Sequence, residues 1–590
     1  MKSGWKSLVP GLVRSAPNVT EQPVPGDQRA ALAPRFRWAT FGVSLAFVVC
    51  AVALLWRWIP PAYDTNDDVT IRRVLEGTRV PGQPPTGFAL LPHAALGWSL
   101  VAIRDAWPSA YAWDIAVTGI LAWGMAVFLS LVWRSLSSAV VLQLSATTVA
   151  VTALLPLVGS VQYTISATIA GGAAILLAWC ELDGDGARRR TVLAMAAALL
   201  VFGLLLRSGG AMAGALAVMA CLMPRAILAR RRGMRAIAAL AGGAVALCAV
   251  LYAADLALYK MRPEWDAYRE MNDLVTALFD WNWQALLPAS VDVTGTRTSV
   301  GWTASDWTML EHAWAVTPER FSVRSVREFY EATLAHLTPL DYGSAAVQRL
   351  WMFDRANWLE RLNEAWPALL GMAIVVSVYS QARDRRVSMA VVMFFAAYCL
   401  GVQIGFKSLP FRLLAPMFAC FVSVLLSTAR LRHLGRKSSA CVLVVVLVLG
   451  VYQAYAVFAA MAANHRHSLQ VDAEGAALAA LQPSLVVIHR DRFPEEHWFR
   501  PFHSPSVRLL TIRLGRNNQN PQLLSFLRAS GLSTFPSAIC DDPSIFVVSE
   551  PGRLDVLTTD LQERAGRPVI WKPVFTGSFT AWQCLPAPTG

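Results

Sequence analysis

Charge is scarce in this chain of 590 residues: Asp, Glu, Lys and Arg together make up 15% of it, against roughly 25% in soluble domains. With 55% hydrophobic residues and a mean hydropathy of +0.43, that scarcity excludes an ordinary soluble domain. Cysteine is sparse as well. Seven of the nine (Cys50, Cys180, Cys221, Cys248, Cys399, Cys420 and Cys441) fall in apolar runs, where a thiol behaves as a small apolar residue. The close ligand pairing of a zinc site is missing. So are internal repeats and low-complexity tracts. No apolar core precedes Trp38, so no cleavable signal peptide is expected. Residues 1–37, polar, Pro-rich and basic, read as a cytoplasmic tail.

What is present is a series of apolar runs, several of which reach the ~20 residues that cross a bilayer as a helix. They lie near 38–58, 111–133, 137–155, 164–181, 191–206, 209–229, 236–256, 366–381, 387–405, 410–429 and 439–461. The sequence therefore predicts an all-α polytopic membrane protein with about eleven transmembrane helices over 38–461. The net charge of +13 does not call for nucleic acid. Much of the excess sits in short loops marked by Arg134, Arg188–Arg190, Arg230–Arg232, Arg383–Arg386 and Arg430–Lys437, as the positive-inside rule expects of cytoplasmic loops. The run from Phe88 to Trp107 contains Pro92, His93 and Arg104. Counting it as a span would put the later basic loops outside, so it reads as a helix lying in the interface. The first loop (59–110), a large loop (257–365) and the tail (462–590) then lie outside the cytoplasm. The large loop carries helical patterns at Trp265–Phe279 and Val323–Leu337. The tail mixes apolar runs at Leu485–Ile488 and Ile545–Val548 with amphipathic stretches at Pro521–Ser530 and Leu554–Ala565, which reads as a small α/β domain. Its pair Cys540 and Cys584 suggests a disulfide in an oxidising compartment.

The chemistry concentrates after the first span, in Tyr63-Asp64-Thr65-Asn66-Asp67-Asp68. Ionisable groups at a membrane boundary are costly and point to function. The plainer reading is a helix start, with Asp64 as cap, Asp67 favouring the dipole and Asp68 pairing with Arg72. Capping needs one acid, however, and three are present. Adjacent carboxylates beside a low-dielectric region push one pKa upward, as a general base requires. Cations that could meet a phosphate on the same side are Arg412 and Lys407 in the loop Phe406–Arg412, and Arg207 in the turn Arg207-Ser208-Gly209-Gly210. Their plainer reading is snorkelling to the interface. His93 could orient a phosphate or a catalytic Asp, or could simply pack. His465 and His467 have the spacing of a metal pair but lack further ligands, and read as a linker. The outer tryptophans Trp265, Trp281, Trp283, Trp302 and Trp307 could stack on sugars, form an interfacial belt or fill a core.

An acidic pair after the first span, followed by His93, Leu96 and Gly97 at the opening of an interfacial helix, resembles the first outer loop of GT-C glycosyltransferases. Ala94 and Ala95 stand where one branch has prolines. Asn66-Asp67-Asp68, Gly77, Thr86-Gly87 and Leu96-Gly97 look more like a bacterial group with an N-D-D first-loop motif. That resemblance extends to Trp265–Tyr268 and Gly301–Trp307 and is thin over the tail. It implies a multi-pass enzyme of the bacterial inner membrane that moves a sugar from a polyprenyl-phosphate donor to an extracytoplasmic glycolipid, polysaccharide or protein. Asp67 or Asp68 would serve as base, with inversion, and Arg412, Lys407 and Arg207 would hold the donor phosphate, with Asp64 and His93 in support. The resemblance fixes no cofactor and leaves a divalent metal open, because two adjacent acids can serve with or without one. Two other readings remain open, a transporter or flippase for lipid-linked saccharides and a non-catalytic envelope assembly factor.

Overall fold

A computed structural model describes residues 36–135, 140–182, 186–279, 293–312, 314–334, 355–380, 382–405, 411–428, 436–489, 493–507, 509–515, 518–532, 534–566 and 568–587. Lys407, Trp281 and Trp283 lie outside these residues. The chain opens with α1 (Trp38–Trp58), the short strand β1 (Ala62–Tyr63), α2 (Asn66–Glu76) and α3 (Ala94–Ala106). Then come α4 (Ala112–Ser135), α5 (Val140–Leu154), strand β2 (Ser160–Val161), α6 (Tyr163–Glu181), α7 (Gly186–Leu228) and α8 (Arg230–Lys260). The large loop contributes α9 (Pro263–Phe279), α10 (Val293–Ser299), α11 (Ala304–Glu311) and α12 (Val323–Leu334). The bundle resumes with α13 (Arg355–Tyr379), α14 (Ala382–Gly405), α15 (Phe411–Thr428) and α16 (Arg436–Ala480).

Among the described residues, eight helices are long and apolar enough to cross a membrane. One of them, Arg189–Leu228, holds two of the expected spans, because Arg207 leaves helical geometry at φ −162° and ψ 100°. Two shorter apolar helices, Ala365–Tyr379 and Arg412–Thr428, account for the others. α6 is the hub. Its whole length is buried, and small residues let its neighbour approach: a Cβ on Gly171 or Gly214 would lie about 2 Å from a carbonyl oxygen across the α6–α7 contact. This is a polytopic α-helical membrane protein with a small sheet domain at its C-terminus.

Within the run Phe88–Trp107 only Ala94–Ala106 is helical, as α3, and its 13 residues reach only about 20 Å and cannot cross ~30 Å of hydrocarbon. One face is buried through Ala94, Leu96, Leu100 and Val101, while Trp98, Ile103 and Trp107 are exposed. Its start is fixed by close backbone contact. A Cβ on Gly97 would stand 2.1 Å from the carbonyl oxygen of Gly87, so only glycine fits there. Gly77 ends α2 in the left-handed region at φ +68°, a conformation that glycine adopts without strain.

The C-terminal domain carries β3 (Leu485–His489), α17 (Glu495–Trp498), β4 (Thr511–Leu514), α18 (Pro521–Ala529), β5 (Ile545–Val548), α19 (Pro551–Ala565), β6 (Val569–Thr576) and β7 (Thr580–Pro586). The strand order is β4-β3-β5-β7-β6. β3 pairs in parallel with β4 and β5, and β7 runs antiparallel to β5 and β6. Cys540 and Cys584 are joined by a disulfide, with Cα atoms 4.9 Å apart.

The period of two along β3 shows how the sheet is covered. Leu485 and Val487 face a core that includes Met271, Val275, Trp302, Trp314, Phe321 and Phe329 from the large loop. Val486 and Ile488 face Val471 and Leu478 of α16, with Phe493, Trp498 and Phe579. The sequence suggested two separate outer regions; the structure gives the large loop and the tail a common core. It also runs α16 unbroken to Ala480, so His465 and His467 sit on a helix rather than in a linker. Trp302 packs on Phe329 and Trp265 on Phe88, which places both in protein cores.

Candidate functional site

The site forms where one end of the bundle meets the C-terminal domain. α1 and α4 run antiparallel, and α5 returns the chain so that α4 and α6 run parallel. The end of α1, the start of α4 and the start of α6 therefore gather at one end. Phe36 N–H donates to Glu181 at the other end, where Arg134 lies 3.8 Å from the same carboxylate. At the near end β1 pairs with β2, Ala62 opposite Ser160 and Tyr63 opposite Val161. This two-rung ladder delivers the acidic segment to the N-terminus of α6.

The three acids separate here. α2 begins at Asn66 with Thr65 in the N-cap position and no side-chain cap hydrogen bond. Asp64 stands one residue earlier and is not the cap that the sequence suggested. Asp68 is fully buried; one carboxylate oxygen accepts from the backbone N–H of Tyr163 at 3.1 Å and the other from Thr65 Oγ1 at 3.4 Å. Burial raises its pKa well above the usual carboxylate range, the Tyr163 N–H opposes this, and Asp67 and Asp64 add to it. Asp67 is about half exposed and lies 3.6 Å from Arg412 Nη1. Arg412 opens the α15 span as expected. The Arg207 guanidinium stands 5.7 Å from the Tyr163 ring centroid. Asp67, Asp68, Arg207 and Arg412 thus converge around Tyr163, a residue that the sequence offered no strong reason to choose. A small apolar slot lies along α15, lined by Pro156, Ala368, Leu369, Leu414, Ala415 and Phe418.

His93 is engaged elsewhere. Its Nδ1 accepts from Ala95 N–H at 3.0 Å, and its Nε2 lies 2.9 Å from the Leu251 carbonyl. Those partners hold the ring in place from both nitrogens. Its own N–H donates to the Leu205 carbonyl, which the break at Arg207 releases from the α7 ladder. Asp255 receives the next N–H, from Ala94, at 2.7 Å. His93 is a joint between α3, α7 and α8.

The remaining polar residues of α2 face the C-terminal domain. Eight of the eleven residues of α2 are buried, and each of its two arginines meets a carboxylate. Arg72 donates to Glu76 at 2.8 Å and to the Arg500 carbonyl at 2.9 Å, and lies 3.6 Å from Asp114. Asp68 is therefore not its partner. Tyr63 O–H donates to Asp114, whose second oxygen accepts from Phe502 N–H at 2.8 Å. Burial tends to lower the Arg72 pKa, but Tyr63, Asp114 and Glu76 together hold it above its ordinary value. Arg73 donates to Glu495 at 2.7 Å and to Thr511 Oγ1 at 2.8 Å. Burial pulls its pKa down against the pull of Glu495. Among the described residues, no group of three or more His, Cys, Asp or Glu could hold a metal ion.

No family model and no curated protein matches the chain. Two solved structures are similar in outline. One is ArnT from Cupriavidus metallidurans in the apo state, at 12% identity and a TM-score of 0.38, covering 92% of this chain and 98% of that chain. The other is ArnT from Cupriavidus metallidurans bound to undecaprenyl phosphate, at 13% identity and a TM-score of 0.37, covering 92% and 97%. A likeness of this size carries no argument, and the functional reading rests on the side chains.

Proposed function

We propose that the protein transfers a sugar from a polyprenyl phosphate to an acceptor hydroxyl at the extracytoplasmic face of the bacterial inner membrane. The observation that carries this reading is the half-exposed Asp67–Arg412 pair beside Tyr163 and Arg207. It combines a carboxylate that can take a proton with guanidinium groups suited to a phosphate. The acceptor oxygen attacks the anomeric carbon as its proton passes to Asp67. The bond between that carbon and the phosphate oxygen breaks, and the polyprenyl phosphate departs with the electron pair, held by Arg412 and Arg207. Attack opposite the leaving group inverts configuration. Lys407, next to this helix start in sequence, is a further phosphate ligand in the same reading.

Asp68 takes a different part from Asp67. Fully buried and bonded to Tyr163 N–H, it fixes the acidic helix against α6 and is a positioning residue. Sidedness follows from charge: Arg134 and the Arg230–Arg232 run mark the opposite end of the bundle as cytoplasmic.

The test compares envelope glycans of wild-type and deletion strains, with complementation by wild-type and Asp67→Asn protein. The deletion should lose one glycan feature that wild-type protein restores and Asp67→Asn does not. Full restoration by normally expressed Asp67→Asn would sink the enzyme reading.

A further inference from the structure

We infer that Arg513, in the C-terminal domain, is a positioning residue for Asp67; the inference rests on the sugar-transfer reading above. α2 starts without a side-chain cap, and an uncapped first turn frays. Asp67 occupies that first turn. Two contacts brace it from outside. Asp68 accepts the Tyr163 N–H on the bundle side. On the other side Arg513 Nη1 donates to the Asn66 carbonyl and to Thr70 Oγ1, each at 3.2 Å. Asn66 and Thr70 are four residues apart and share one helix face, so a single guanidinium spans the turn that carries Asp67.

Arg513 is itself held. It lies on β4, an edge strand of the sheet, and its guanidinium is 3.1 Å from Glu495 Oε2. The other oxygen of Glu495 accepts from Arg73 of the same acidic helix at 2.7 Å. Glu495 is 1% exposed, and it ties Arg513 and Arg73 into one buried unit. These contacts run to α2 and to Glu495, so their effect on chemistry passes through the placement of α2.

This assignment separates two quantities. Loss of Arg513 should lower turnover while leaving capture of the phosphate, the task of Arg412 and Arg207, intact. The experiment measures two things for each full-length variant. One is the rate at which membranes form the glycan product identified above, and the other is the affinity of the purified protein in lipid nanodiscs for undecaprenyl phosphate. Arg513→Ala should cut turnover about tenfold, as expected when a reacting group loses its alignment, with affinity unchanged. Arg513→Lys, which can still reach one acceptor on α2, should recover part of the rate. Wild-type turnover in Arg513→Ala would overturn the inference, as would an affinity loss as large as the rate loss. If Arg513→Ala fails to fold, Thr70→Val removes one of the two acceptors without touching the buried ion pairs. A roughly threefold rate loss is expected there, and none would overturn the inference. Asp67→Asn runs alongside. Retained turnover in that variant defeats the sugar-transfer reading itself, whereas its loss together with normal Arg513→Ala turnover defeats only the role of Arg513.

Discussion

The two sides of α2 use the same chemistry to opposite ends. On the side that meets the C-terminal domain, the buried Arg72 and Arg73 pair with Asp114 of α4, Glu76 of α2 and Glu495 of the domain, supported by Tyr63, Thr511 and the Arg500 carbonyl. Toward the bundle, Asp67 and Arg412 form one longer, half-exposed pair. Buried charges must be matched on every side, or they lower their own stability. A half-exposed pair at 3.6 Å is cheap to separate and can exchange its partner for a ligand. Arginine and carboxylate therefore mark a fastening on one side and a candidate working site on the other.

The comparison can be broken at several points. The largest effect is expected from Asp67→Asn, which should lower sugar transfer by about a thousandfold, within the range of general-base removal, with expression and unfolding temperature unchanged. Next is Glu495→Ala. It strands Arg73 and Arg513 and should cost about 3 kcal/mol, read as a loss of denaturant resistance in the solubilised protein. A stability change below about 0.5 kcal/mol would mean that the sealed side is no fastening. Arg412→Ala should lower undecaprenyl phosphate affinity about tenfold while changing stability by under ~0.5 kcal/mol.

The smallest effect on catalysis is expected from Asp68→Asn, because an amide oxygen still accepts the Tyr163 N–H. Its signature is in pH. Burial raises the folded-state pKa of Asp68, so the protonated form is favoured by folding. Its contribution is complete below the unfolded value of about 4 and is lost as pH rises through the folded value. Asp68→Asn should therefore be more stable than wild type at neutral pH, with the gap closing toward pH 4. A gap that widens in acid would show that Asp68 is held as a carboxylate.

Much of the bundle was legible because each span announces itself locally. The break at Arg207 follows the Arg-Ser-Gly-Gly turn, and the short α3 follows from Pro92 and Arg104 within an apolar run. The shared core of large loop and tail was not legible, since Leu485 and Trp302 meet only through tertiary folding. The site was legible in its parts but not in its division. Asp67 and Asp68 are indistinguishable as letters, and only the approach of Tyr163 N–H makes one buried and the other open. Asp64 was misread because the helix starts one residue later than a cap there requires. Nothing local marks Arg72 and Arg73 as buried; their partners Arg500 and Glu495 lie 428 and 422 positions away.

That last separation also has a consequence for biosynthesis. Arg73 leaves the ribosome 422 residues before Glu495. At about 5–20 residues per second, it waits roughly 20–80 s for its counter-ion while the spans between are inserted. A chain cut short anywhere before Glu495 leaves that arginine without its counter-ion, and a nascent-chain protease would find the acidic helix loose. The joint between loop and domain thus works as a completeness check: the helix bearing Asp67 gains these contacts only once the last domain has been made and docked.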